Sequence, residues 1–85
     1  MRVVVITKDQ TEYARYVETF IEDFYRQTGR QLEVMDPDTR DGAEFCQTYD
    51  IVQYPTIVAI SDDGQVQNTW EGEQLPTISE VSYYG

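Results

Sequence analysis

Val3-Val4-Val5-Ile6 is a run of β-branched residues with no polar partner between them. Such a run has no face to offer water, so it predicts a short strand over Arg2–Ile6 that is covered on both sides. A strand of that kind needs neighbours left and right and a layer above and below. The next segment changes period. Tyr13, Val17, Phe20, Ile21 and Phe24 recur at three- and four-residue spacing, which makes one apolar stripe along a helix. We expect that helix at about 10–28, with Asp9 and Glu12 as an N-terminal capping pair and Gly29 as the left-handed stop. Glu22 and Arg26 stand in the favourable i,i+4 orientation on its outer side.

The remaining elements follow by the same reasoning. Leu32 and Val34 alternate with polar neighbours, so Gln31–Met35 reads as a strand nearer a sheet edge. Strand, helix and strand then form a right-handed parallel unit. Asp36-Pro37-Asp38-Thr39-Arg40 is loop, since proline disfavours helix at the residue before it. Asp41 with Glu44 suggests a second cap, opening a short helix that carries Ala43, Phe45, Cys46 and Tyr49. Pro55 opens a strand over Thr56–Ile60, Asp62-Asp63-Gly64 is a hairpin turn with positive φ at its centre, and Gln65–Trp70 is the return strand. Leu75-Pro76 begins a last helix with Ile78, Val81 and Tyr84 inward. The predicted order is β-α-β-α-β-β-α in one domain spanning residues 1–85.

Composition narrows the partners. The chain has 85 residues with 16 acids, 6 bases and no histidine, a formal net charge of −10. All six bases lie in the first forty residues; the rest of the chain carries eight acids and no base. A body this acidic repels phosphate backbones and anionic lipid, so neither nucleic acid nor a membrane surface is an expected partner. No apolar run approaches the roughly 20 residues that cross a bilayer, and no basic start leads into one, so no leader peptide is expected. With no histidine and the single Cys46, an ordinary zinc site within one chain is not expected. A lone cysteine excludes an internal disulfide and suits a cytoplasmic setting. Asp36-Pro37-Asp38-Thr39-Arg40-Asp41-Gly42-Ala43-Glu44 invites a calcium reading, but Arg40 puts a cation in the loop and the twelfth position is Gln47. Capping and turn chemistry explain that segment better, and no metal or other cofactor is expected.

The segment Tyr49-Asp50-Ile51-Val52-Gln53-Tyr54-Pro55-Thr56-Ile57 resembles the Y-G-I-x-x-x-P-T-L stretch of thioredoxins. The hairpin at Asp63-Gly64, then Trp70-Glu71-Gly72 and Leu75-Pro76, is similar in the same way. Ile6-Thr7-Lys8-Asp9-Gln10-Thr11-Glu12-Tyr13-Ala14 resembles the Y-T-K-x-x-C-P-Y-C start of glutaredoxins. The resemblance runs from Arg2 to Tyr84. It implies the thioredoxin-like α/β fold: three layers, α/β/α, around a four-stranded mixed sheet, with Pro55 cis and facing the functional loop.

This chain departs from those families where their chemistry lies. In place of C-x-x-C it has Thr11-Glu12-Tyr13-Ala14. Dithiol exchange needs an activated thiolate and a second thiol to resolve the mixed disulfide, and this loop supplies neither. Cys46 falls on the second helix among Glu44, Phe45 and Tyr49, where a small buried hydrophobe is the expected role. The sequence therefore leans away from an enzyme and toward a redox-inactive module that binds a protein or peptide. Its candidate surface is Lys8, Thr11, Tyr13, Tyr54, Pro55 and Trp70, with no catalytic residue assigned. The alternative is a glutathione-dependent or single-thiol oxidoreductase. There the resemblance assigns Lys8 and the backbone at Tyr54 to the tripeptide, with Cys46 reacting. Lys8 is the only cation of its loop and is flanked by Asp9 and Glu12, so glutathione is the less favoured ligand.

Overall fold

The computed structural model describes residues 2–9, 11–72 and 74–84. The elements appear in the predicted order: β1 (Arg2–Ile6), α1 (Ala14–Thr28), β2 (Glu33–Met35), α2 (Arg40–Tyr49), β3 (Thr56–Ile60), β4 (Val66–Glu71) and α3 (Ile78–Tyr84). They build one mixed sheet of order β2-β1-β3-β4. β1 runs parallel to β2 and antiparallel to β3, which pairs antiparallel with β4.

β1 is covered on both faces, as its β-branched run requires. Val3 and Val5 face one layer with Val17 and Phe24 of α1, Ile57, Ala59 and Val81 of α3. Val4 and Ile6 face the other, with Phe45 and Cys46 of α2, Ile51, Val58 and Ile60. Val4, Val5 and Ile6 are fully buried, and so are Ile57 and Ala59 of β3. Each of the valine and isoleucine side chains among them, taken out of water, contributes about 1.5–3 kcal/mol before conformational entropy is charged against it. The apolar stripe of α1 faces the sheet throughout: Val17 and Phe24 are buried, while Tyr13, Phe20 and Ile21 pack at its margin.

Several boundaries differ from the sequence reading, each for a local reason. α1 starts at Ala14 rather than near residue 10. The Ala14 N–H donates to the Thr11 carbonyl at 3.2 Å, a turn precedes the helix, and no side chain caps it. Asp9 and Glu12 therefore lie ahead of the first turn, and Gln10 falls outside the described residues. Arg26 pairs with Asp23 at 2.9 Å instead of with Glu22. β2 is shorter than expected, covering Glu33–Met35, with Leu32 buried just ahead of it and Val34 half-exposed on the open edge. At α2 the cap is Thr39, whose Oγ1 accepts the Gly42 N–H at 3.1 Å, so Asp41 lies inside the first turn and Glu44 reaches Arg40 instead. α3 begins two residues after Pro76, where Thr77 Oγ1 accepts the Glu80 N–H at 3.1 Å. The hairpin carries positive φ at Gly64 alone. Its Gly64 N–H reaches the Ser61 carbonyl, the Ser61 N–H reaches the Gln65 carbonyl, and the return strand starts at Val66. Gly29 closes α1 at φ 73°, as expected.

At the open edge, the Arg2 guanidinium donates twice to the Glu33 carboxylate, at 2.9 and 2.8 Å. That contact holds the Glu33 carboxyl below its ordinary value. Both side chains are nearly half exposed, so the pair is worth under about 1 kcal/mol.

Two glycines make a paired test of this geometry. A Cβ on Gly42 would lie 1.8 Å from the Asp36 carbonyl oxygen, so the loop after β2 has no room for it. A Cβ on Gly29 meets nothing within 4 Å, and only its left-handed backbone resists substitution. Gly29→Ala is expected to cost about 1–2 kcal/mol in urea unfolding, and Gly42→Ala more than that, about 3 kcal/mol.

Candidate functional site

The register of the sheet decides what comes together. Ile6 pairs with Met35 and with Thr56, and Thr56 pairs with Glu71. The segments that follow β1, β2 and β4, and the one that precedes β3, therefore leave the sheet at one end. They carry Lys8 and Thr11–Tyr13, Asp36–Asp38, Gly72 and Tyr54-Pro55, with Trp70 and Glu71 closing β4 beside them. The Gly72 N–H donates to the Pro55 carbonyl at 2.8 Å, which ties two of them together. The Tyr54–Pro55 peptide is cis, and Pro55 is fully buried.

Lys8, Thr11, Tyr13, Tyr54 and Pro55 converge at this end. Lys8 Nζ lies 5.3 Å from the Tyr54 ring centroid and 3.7 Å from Asp38 Oδ1. Thr11 Oγ1 donates to the Lys8 carbonyl at 3.1 Å, which shapes the loop ahead of α1. Thr7, the last residue before Lys8, has a buried hydroxyl with no hydrogen-bond partner among the described residues. Tyr54 packs against the cluster under α2, its hydroxyl beside the Cys46 thiol. Burial first, then Cys46, Asp38 and Tyr13, push the Tyr54 phenol above its ordinary value. Trp70 goes elsewhere: it pairs with Ile57 and packs in the α1/α3 layer, its ring 5.6 Å from that of Tyr84. Tyr13 packs in that same layer. The two faces of the sheet thus separate Tyr54 from Trp70, and Tyr13 lies between loop and layer.

Cys46 is buried on α2 in the cluster of Val4, Ile6, Phe45 and Ile51. Thr11-Glu12-Tyr13-Ala14 stands at the start of α1, on the other side of the sheet. Among the described residues no group of three or more metal-ligating side chains gathers. No helix among them is long and apolar enough to cross a membrane.

The structure adds a groove that the sequence reading missed. Glu12, Tyr13, Tyr16 and Gln74 line a recess of about 330 Å³ beside the first turn of α1. Tyr16 follows Tyr13 at a helical i,i+3 spacing, so its place on the same side was readable once the helix was drawn. Gln74 arrives only through the chain after β4, which no local pattern forecasts.

No protein-family model matches the chain, and no curated protein matches it. Solved structures do. Thioredoxin 1 from Thermosipho africanus TCF52B superposes with a TM-score of 0.68 at 14% identity, over 99% of this chain and 89% of that one. Thioredoxin O2 from Arabidopsis thaliana, in its oxidised state, gives 0.70 at 12% identity, over 96% and 69%. A thioredoxin from Thermus thermophilus gives 0.61 at 19% identity, over 95% and 67%. The chain has the thioredoxin-like fold, with one cysteine and hence no C-x-x-C pair.

The Tyr54 environment is open to measurement. The fold favours the neutral phenol, so this contribution to stability is complete below about pH 10 and is lost as pH rises through the raised value. In a tyrosinate titration Tyr54 is expected to ionise above about pH 10. Cys46→Ala is expected to bring its midpoint part of the way back while leaving the burial component in place.

Proposed function

We propose that this chain is a thioredoxin-fold module without redox activity that binds a protein or peptide at the end of the sheet where four segments meet. One observation carries the reading: the position that holds C-x-x-C in thioredoxins holds Thr11-Glu12-Tyr13-Ala14, and the only thiol is buried on the far layer. A threonine hydroxyl ionises far too high to attack a disulfide, and Ala14 offers no resolving group. What remains at that end suits contact rather than chemistry. Tyr13, Tyr16 and Tyr54 give aromatic surface of the kind that anchors interfaces, and Lys8 and Glu12 give a polar rim. The backbone of Tyr54, just ahead of Pro55, is the stretch for an extended peptide to pair with, since the Pro55 carbonyl is taken by the Gly72 N–H. A single cysteine, which has no partner for an internal disulfide, supports a reducing compartment such as the cytoplasm.

The glutathione reading is weaker. Lys8, the cation that would meet the tripeptide's carboxylates, is already engaged by Asp38 and the Tyr54 ring. Cys46 lies under α2, buried.

An insulin-reduction assay with dithiothreitol is expected to run at the uncatalysed rate, and turnover above it sinks the proposal. Glutathione added to the isotope-labelled chain is expected to leave the amide signals of Lys8 and Tyr54 in place; saturable shifts there would favour the oxidoreductase reading instead.

A further inference from the structure

The outer side of the α1/α3 layer holds a second recess, lined by Asn68 and Trp70 of β4 and by Ser79, Glu80, Tyr83 and Tyr84 of α3, with a volume of about 390 Å³. Its aromatic wall is ordered. Tyr84 meets Trp70 edge to face at 5.6 Å and 71°, and Tyr83 meets Tyr84 at 5.1 Å and 81°. Asn68 Nδ2 donates to the Tyr84 hydroxyl at 3.3 Å, while its Oδ1 accepts the Thr69 N–H, so the middle ring of the wall is held from behind. Tyr83 at the rim is 84% exposed, an unusual state for so large a ring. Glu80 precedes Tyr83 by three residues and Tyr84 by four, so one helix face sets a carboxylate beside both rings.

We infer that this recess takes an arginine side chain from a basic peptide segment of a partner protein. Aromatic faces attract cations through their quadrupole, and a guanidinium can lie flat on a ring while its N–H groups reach a carboxylate. The chain itself shows the pairing: Arg2 lies 5.8 Å from the Phe45 ring and Lys8 lies over Tyr54. The Trp70–Tyr83–Tyr84 wall has no base among its lining residues, and the chain has none beyond Arg40. Arg30 does reach α3, but it donates to the Ser82 carbonyl at 3.3 Å and does not line the recess. Glu80 lines the recess, and the chain's net charge of −10 gives a field that draws a basic segment and repels a second copy of the chain. The site shares none of Lys8, Glu12, Tyr13, Tyr16 and Tyr54 with the surface proposed above, and it stands or falls separately.

Trp70 is the only tryptophan, so its fluorescence reports the recess directly. An acetylated, amidated Arg-Gly-Arg-Gly-Arg peptide, titrated into the intact chain at low salt, is expected to change the emission saturably. A Glu-Gly-Glu-Gly-Glu peptide is expected to change nothing. Tyr83→Ala and Glu80→Gln are each expected to weaken binding about two- to fivefold. Glu44→Gln removes the same unit charge from α2, in the opposite layer, and is expected to leave affinity unchanged. Circular dichroism checks the fold of each variant; Glu80→Gln decides alone if Tyr83→Ala disturbs it. Three outcomes overturn the inference: no saturable change up to millimolar peptide, equal weakening by Glu44→Gln and Glu80→Gln, or full affinity in a folded Tyr83→Ala.

Discussion

Burial of β1 on both faces is the constraint on which the rest of this molecule depends. Its side chains alternate between two layers, Val3 and Val5 toward α1 and α3, Val4 and Ile6 toward α2. It shares this position with β3 alone: each has a strand on both edges and sends side chains into both layers, so neither layer closes without the pair. The register of β1 also sets which segments meet. Ile6 is the last paired residue of β1, and its partners Met35 and Thr56 are the last of β2 and the first of β3. Segments far apart in the chain are gathered at one end by main-chain hydrogen bonds, whatever side chains they bear. A thioredoxin-like fold at 12–19% identity is intelligible on these terms, since the sheet asks for apolar volume and register rather than for particular residues.

Much of the fold was legible because periodicity reports burial. The unbroken Val3–Ile6 run, the stripe on α1 and the inward set Ile78, Val81 and Tyr84 all follow from which face must leave water. Boundaries were less legible because caps compete. Asp41 and Thr39 both stand near the start of α2, and what separates them is that Thr39 Oγ1 meets the Gly42 N–H. Nothing in the local string ranks those partners. The same holds at α3, where Thr77 rather than Pro76 marks the entry.

The candidate surface was legible in its members and less so in their directions. Lys8, Thr11 and Tyr54 meet because their segments share one end of the sheet. Whether a side chain there points toward α2 or toward α1 and α3 depends on strand parity, and parity depends on register. Tyr54 sits under the α2 layer and Trp70 in the other, so two aromatic residues from neighbouring segments serve different faces. Tyr83 was visible in the sequence as one tyrosine of seven. Only the packing of α3 on β4 sets it beside Trp70 and Tyr84.

The short outer strand β2 has a further consequence. A sheet ending in an unpaired row of main-chain donors and acceptors invites other chains to continue the ladder. Here that row is three residues long, its start is fastened by the Arg2–Glu33 fork, and two residues past its end Pro37 has no N–H to extend it. The half-exposed Val34 thus sits on a brief ledge, guarded by charge on one flank and by a tertiary amide on the other. This margin offers few rungs for a foreign strand because it is short, not because anything covers it.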